Sequence, residues 1–331
     1  MTMPLLLTRR DVESVLTMKE AIAAVEEGLT RLALGRAIMP QRTAIRMTGH
    51  HGLHLGMPAF IEGEGDDPGV LALKVVTVYP DNPAQHSLPT TIGTILLNDP
   101  RTGALLAVMD AGFLTAMRTG AASGVATRYL ARPDARSCGV FGAGAQARTQ
   151  LLAVAEVRHL DRAVVCDLQV ETRTRFAADM SVRLGIPVTE GDTEACLGCD
   201  IVVAATSSTT PIFEGSRLRP GTHVNGIGAH APAHRELDAE AVRRCTVIAD
   251  YKPACLAEAG DILMAIREGA ITEDHIRASI GDVVAGLKPG RTSAEEITLF
   301  KSVGLAVEDV ATAALVYKLA IAAGVGKPIE I

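Results

Sequence analysis

What the chain has little of narrows its possible functions first. Among 331 residues there is no tryptophan, and aromatic residues make up only 3%. The stacked aromatic platforms on which single-stranded nucleic acids lie are therefore poor. No basic block interrupts the sequence and the formal net charge is −6, which argues against nucleic acid as the main partner. No apolar run reaches about 18 residues, the length that a membrane-spanning helix needs. The opening MTMPLLLTRRDVESV holds only a brief apolar patch before charges begin, so neither a signal peptide nor a membrane span is expected.

The six cysteines stand mostly beside apolar strands, without secretory marks, and are read as reduced, buried thiols of a cytoplasmic protein. Cys196-Leu-Gly-Cys199 is a CxxC pair, which raises a redox or zinc role. No second pair and no histidine at zinc-finger spacing accompanies it. His50, His51 and His54 cluster in sequence, but residues 50 and 51 are expected to point to opposite sides of a strand. No metal site is expected.

What is present suits a large packed core. Apolar residues make up 48% and charged ones 21%, and the length allows two domains. Residues 8–36 carry apolar positions at helical spacing, with Thr17 placed to cap a helix over 18–34 and Gly35 to end it. From 42 to 98 the pattern changes to short strands (TAIRM, GLHLGMPAFI, VLALKVVTVYP, TTIGTILLND) separated by Gly, Pro and Asp turns. These predict a mainly antiparallel sheet, continued by a strand at 104–110 and an Ala-, Gly- and Thr-rich helix at 111–129. Beyond residue 134 strands and helices alternate: strands at 138–142, 163–167, near 187, 201–205, 222–227 and 246–250, with helices between them. Such alternation predicts a doubly wound parallel sheet with its ligand at the carboxyl edge. Helices are also expected around 256–268 and 307–323, and the last lies too far on to belong to that sheet. The expected organisation is a second, α+β domain of residues 1–120 with 305–331, and a Rossmann-type domain of 121–304.

The stretch SCGVFGAGAQARTQL, residues 137–151, reads as strand, tight turn and helix. Gly142 permits the turn, Gly144 lets the backbone approach a pyrophosphate, and the small Ala147 packs helix against strand. The helix N-terminus then offers free N–H groups to the anion. About 20 residues past the glycines, AVVCD ends in Asp167, an acid that can accept both ribose hydroxyls and repel a 2′-phosphate. NAD is thereby favoured over NADP, unless Asp167 serves only to cap the next helix.

In the first domain Arg42, Lys74 and Arg118 are the cationic candidates. Lys74 sits inside the apolar run 70–78, where a buried ammonium is costly unless paired or used on an anionic ligand. The alternative is an edge-strand lysine facing water. Together the three can clamp a carboxylate. In VNGIGAH, residues 224–230, a strand ends in glycines and then His230, whose near-neutral titration suits a general acid or base.

With these segments assembled, the chain resembles the ornithine cyclodeaminase/mu-crystallin family over almost its whole length. The carrying stretches are PQRT (40–43), GMP (56–58), LKV (73–75), LAVMD (106–110), TAMRTG (115–120), GAGAQA (142–147), VNGIG (224–228), RELD (235–238) and FKSVGLAVED (300–309). The resemblance implies a homodimer, a first domain that binds substrate and pairs subunits, and a Rossmann domain holding NAD(P). By position it makes Arg42, Lys74 and Arg118 binders of the substrate carboxylate. It sets Thr119, Gly144, Ala145, Gln146, Asp167, Thr206, Asn225, Ile227, Ser302 and Gly304 against the dinucleotide.

Two positions depart from the ornithine cyclodeaminases, which carry a Glu where this chain has Leu55 and an Asp where it has His230. Less negative charge is left for a second ammonium, so a substrate with one amino or imino nitrogen is expected. The reading is an NAD(H)-dependent oxidoreductase acting on the C–N bond of a small α-imino or α-amino acid. A cyclic ketimine such as pyrroline-2-carboxylate is the typical substrate, with an alanine-dehydrogenase-like reaction close behind. Lys74 or His230 would supply the proton. Ornithine cyclodeaminase proper, and a non-catalytic crystallin-like protein that binds NAD(P)H or a ligand, are the alternatives.

Overall fold

The computed structural model describes residues 3–330. It divides into two compact units, one running up to Arg118 and resuming at Leu305, the other spanning Thr119–Gly304.

The first unit is built on an eight-stranded sheet. Its strands run in the order Lys327–Pro328, Leu5–Leu7, Leu105–Asp110, Thr91–Asn98, Val70–Val78 and Gly52–Ile61, and the last of these pairs with both Ala37–Ile38 and Thr43–Met47. Every pairing is antiparallel except that of Leu5–Leu7 with Leu105–Asp110. One face is covered by helices, because the helix Met18–Ala33 buries Met18, Ala21, Ile22, Val25 and Leu29 at a spacing of three and four. Thr17 and Glu20 cap its start reciprocally, as a capping box. Gly28 lets it close on the final helix Ala306–Ala323: a Cβ there would stand 3.0 Å from that of Ala311.

Register decides which residues share the covered face. Met57 lies opposite Lys74, and Lys74 opposite Ile95, all three buried. Lys74 is therefore on an interior strand and points inward, not at an edge facing water. Leu55, two residues from Met57, lies on the same face by strand alternation. His50 and His51 are not on a strand: residues 48–50 form a single 3-10 turn and His51 takes the left-handed conformation at φ 48°.

The second unit is an all-parallel sheet in the order Val188–Glu190, Arg162–Cys166, Ser137–Phe141, Ile201–Ala204, His223–Gly226, Thr298–Lys301, Thr246–Ala249 and Ile276–Ser279. From Ser137–Phe141 the chain first builds toward one edge and then, at Ile201–Ala204, toward the other, which makes the gap between them a topological switch point. Two strands, Ile276–Ser279 and Thr298–Lys301, go beyond the sequence expectation. Each has four residues, and each carries a charge (Arg277, Lys301) that breaks the apolar run. The helix expected over 256–268 is two, Lys252–Glu258 and Gly260–Arg267, separated by the extended backbone of Ala259. The small residues of Gly112–Leu130 have a packing reason: a Cβ on Gly120 would fall 2.5 Å from the carbonyl of Thr149, so only glycine permits that approach.

Candidate active site

In the first unit the sheet face that carries Leu55, Met57 and Lys74 meets the first turn of the closing helix. Glu308 and Asp309 lie in that turn, both buried. Lys74, 2% exposed, places its Nζ 2.6 Å from Asp309 Oδ2. Arg118, 5% exposed, sets its Nε 2.9 Å from Asp309 Oδ1 and one terminal nitrogen 2.7 Å from Glu308 Oε2. Asp309 thus bridges ammonium and guanidinium. Arg42 is half-buried, one residue before Thr43–Met47. Ala44 lies opposite Leu55, so alternation turns position 42 toward the face that Lys74 shares.

Burial is the main force on Lys74 and lowers its pKa from 10.5 to about 8; the neighbouring Arg118 and Arg42 push the same way and Asp309 pushes back. For Arg118 burial also pulls downward, but Asp309 and Glu308 more than offset it and hold the guanidinium charged. Charges this deeply buried persist only when paired and hydrogen-bonded. The arrangement keeps two cations desolvated and fixed in direction, as bidentate capture of a carboxylate requires.

In the second unit the carboxyl ends of the parallel strands carry the other candidates. Gly142 has φ 95°, and a Cβ on it would stand 2.5 Å from the carbonyl of Ala205, so the turn admits only glycine. Gly144 caps the helix Ala145–Val157 with extended backbone and no side-chain bond, and a Cβ there would meet nothing within 4 Å. That open approach to uncapped N–H groups fits a pyrophosphate. Among the described residues Gln146 Oε1 is buried with no hydrogen-bond partner, an acceptor that a bound ligand can satisfy, whereas the Asn225 amide is hydrogen-bonded to the buried His223 ring. Asn225 itself is oriented by its Nδ2, which donates to Thr127 Oγ1 at 3.0 Å. Asp167 accepts from the Ala143 N–H of the glycine turn and from the Gln169 N–H, each at 2.8 Å. Thr119 is held through its carbonyl by Gln150 Nε2 at 3.1 Å. Ile227 is buried, with its N–H bonded to the Ala204 carbonyl. Ser302 Oγ and the Gly304 N–H both donate to Asp250 Oδ2, at 3.0 and 2.9 Å. These features fit a dinucleotide. His230 is exposed on the loop after His223–Gly226, with Nδ1 2.9 Å from the Gly228 carbonyl.

Lys74 and Arg118 are brought together, and Arg42 lies close enough to act on the ammonium. The carboxylates that hold them were not singled out by sequence reading. Glu308 and Asp309 stand in the stretch FKSVGLAVED, but two acids in a first helical turn read as partners of the helix dipole. Glu236, Asp250, Asp261 and Lys301 were missed for a similar reason, since no local pattern marks a charge as buried. Cys196 and Cys199 are both buried free thiols, and burial pushes both up, which leaves them protonated and unreactive. Among the described residues no group of three or more His, Cys, Asp or Glu is placed to hold a metal ion.

The sequence profile of the ornithine cyclodeaminase/mu-crystallin family matches residues 2–323. The structure of Thermococcus litoralis Δ1-pyrroline-2-carboxylate reductase, solved with NADH and L-proline, superposes with a TM-score of 0.94 at 46% identity, covering 98% of this chain and 100% of that one. An archaeal alanine dehydrogenase dimer with bound NAD gives 0.93 at 38% identity, with 99% of each chain covered. A Δ1-pyrroline-2-carboxylate reductase of Bacillus cereus is 36% identical over 98% of this chain and 99% of its own. With a fold of this kind and a match of this extent, the chain belongs to the ornithine cyclodeaminase/mu-crystallin family.

Proposed function

We propose that the protein is an NAD(H)-dependent oxidoreductase that reduces the C=N bond of a small α-imino acid. A cyclic ketimine such as Δ1-pyrroline-2-carboxylate, giving proline, is the leading substrate, and reductive amination of pyruvate to alanine comes next. The observation that carries this is the buried Lys74–Asp309–Arg118–Glu308 cluster. An ammonium and a guanidinium kept dry and aimed are a carboxylate clamp, and the relatives named above act on small amino or imino acids.

In this reading Arg42, Lys74 and Arg118 bind the carboxylate and orient the imine carbon, since positioning supplies much of the rate. The ion pair with Asp309 keeps Lys74 protonated and in place, which suits a clamp. His230 then gives the proton to the imine nitrogen as the carbon receives hydride. NADH supplies that hydride when bound. Gly142, Gly144, Ala145 and Gln146 would hold its pyrophosphate and Asp167 its ribose hydroxyls, with Thr119, Thr206, Asn225, Ile227, Ser302 and Gly304 along the remainder. Leu55, on the face of Lys74, offers no charge for the side-chain ammonium of ornithine, which makes cyclodeamination the weaker reading.

We also read the molecule as a homodimer. Ile45, His54, Thr77 and Ile92 lie in one row across four strands on the face opposite Lys74, and Ile45 and Ile92 are 62% and 43% exposed. A second copy laid on this sheet would cover them.

The test mixes purified protein and NADH with Δ1-pyrroline-2-carboxylate, or with pyruvate and ammonia. Loss of NADH absorbance is expected, with kcat/KM reduced about 100-fold in Lys74→Met and NADH affinity unchanged. No loss with any imino acid would overturn the proposal. Ornithine converted to proline and ammonia without NADH accumulation would select the cyclodeaminase, and tight NADH binding without turnover the binding protein.

A further inference from the structure

A second buried charge cluster lies wholly within the parallel-sheet unit, and the reaction proposed above does not use it. Glu236, Asp261 and Lys301 are each 0% exposed. Lys301 ends the strand Thr298–Lys301, and its Nζ stands 2.7 Å from Asp261 Oδ2. The other oxygen of Asp261 accepts from the backbone N–H groups of Glu236 and Leu237, at 2.7 and 2.9 Å. With its backbone held this way by Asp261, Glu236 reaches two loops at once through its carboxylate. Its Oε1 accepts from the Thr206 N–H and hydroxyl at 2.6 and 2.7 Å, and its Oε2 accepts from the Gly228 N–H at 2.7 Å.

Those loops follow the adjacent strands Ile201–Ala204 and His223–Gly226, at the carboxyl edge where an α/β sheet binds its ligand. The approach is close enough to demand glycine: a Cβ on Gly228 would lie 2.2 Å from the Thr206 carbonyl and 2.5 Å from Glu236 Cδ. Gly228 also carries the chain of contacts onward. Its carbonyl lies 2.9 Å from His230 Nδ1, and a carbonyl oxygen only accepts, so Nδ1 carries the hydrogen. The titrating position of the imidazole is then Nε2.

We propose that Glu236 is a positioning residue. Acting through Gly228, it fixes the place of His230 and of the carbonyl that selects its tautomer, and by the same carboxylate it sets the Thr206 loop against the cofactor. This rests on the reading of His230 as the proton donor. A glutamine at 236 keeps one acceptor for Thr206 but turns an NH₂ toward the Gly228 N–H, donor against donor, and so leaves that N–H only its longer bond to the Ala204 carbonyl at 3.3 Å, which loosens the loop that leads to His230.

The experiment is a double-mutant cycle on the full chain: wild type, Glu236→Gln, His230→Ala and the double variant. The readouts are kcat with the imino acid, NADH Kd from cofactor fluorescence, and Tm. Glu236→Gln is expected to lower kcat about tenfold when His230 is present and less than about twofold when it is absent. NADH Kd should rise about threefold to tenfold in both backgrounds. An equal loss of kcat with and without His230 would make Glu236 a merely structural residue and overturn the proposal. Full activity in His230→Ala would overturn it too, while wild-type turnover of the imine would leave the proposed reaction standing. Should Glu236→Gln not fold, Thr206→Val removes one of the three bonds to the carboxylate. It should then reproduce the His230-dependent loss at about twofold to threefold, and a loss independent of His230 would count against the proposal.

Discussion

At the scale of single residues, Lys74 is where the chemistry leaves the clearest trace. Its ammonium is charged below about pH 8 in the folded chain, against 10.5 for an ordinary lysine. The KM for a carboxylate substrate is therefore expected to stay flat up to about pH 8 and climb beyond it. Lys74→Arg, whose guanidinium does not deprotonate, should remove the climb. The same depression has a sign for stability. Between about pH 8 and 10.5 the unfolded chain binds the extra proton, so this group makes stability rise with pH across that window, and its cost is full below it. Urea unfolding on either side of the window checks the direction. Asp167 allows a second prediction. Its carboxylate is bonded to the Ala143 N–H of the glycine turn, and it is proposed to accept the ribose hydroxyls and exclude a 2′-phosphate. Asp167→Ser should weaken NADH binding and tighten NADPH binding, each by about tenfold, measured by fluorescence titration; an unchanged ratio would remove that role. Local pattern singled these two residues out as candidates, Lys74 as a charge inside an apolar strand and Asp167 by its distance from the glycines. It could not show Asp309, Glu308 or Glu236, whose meaning depends on partners far away in sequence.

Among the elements, the helix Gly112–Leu130 depends most on what caps it. The Arg158 side chain donates to the carbonyls of Thr127, Arg128, Ala131 and Arg132 at 3.0–3.1 Å, and Arg291 Nε donates to that of Leu130 at 2.6 Å. The carbonyls of Arg128 and Leu130 are among those that a helix end leaves without intrahelical partners, and those of Ala131 and Arg132 belong to the turn just after it. Arg158→Met keeps the aliphatic stem and removes the donors, which should cost about 2 kcal/mol and lower Tm by about 4–8 °C. NADH affinity at 25 °C should be preserved. Thermal unfolding followed by circular dichroism measures this, and an unchanged Tm would show that the cap is dispensable. The helix itself could be read from its small residues, and the helix Met18–Ala33 from its spacing and its Thr17 cap. The strands Ile276–Ser279 and Thr298–Lys301 could not, because four residues with a charge among them carry too little periodic signal. They become strands because neighbours on the sheet supply the hydrogen bonds.

For the whole molecule, the open sheet face with its row from Ile45 to Ile92 predicts association. The 34.7 kDa chain should sediment at about twice that mass. Ile45→Asp combined with Ile92→Asp should shift it to monomer in analytical ultracentrifugation, and a wild-type monomer would refute the pairing. The fold class was legible because alternation of strands and helices, and the antiparallel run before it, are patterns of whole segments. The expectation that the last helix returns to the first domain rested on its distance beyond the final expected strand. The central claim is that a carboxylate-bearing imine, clamped by Lys74 and Arg118, is reduced at the expense of NADH. Its most direct measurement is stoichiometry: L-proline formed and NADH consumed, quantified together from Δ1-pyrroline-2-carboxylate. The account predicts one proline for each NADH oxidised, and loss of both together in Lys74→Met. Proline formed from ornithine with no net change in NADH, or turnover of the imine undiminished in Lys74→Met, would contradict it.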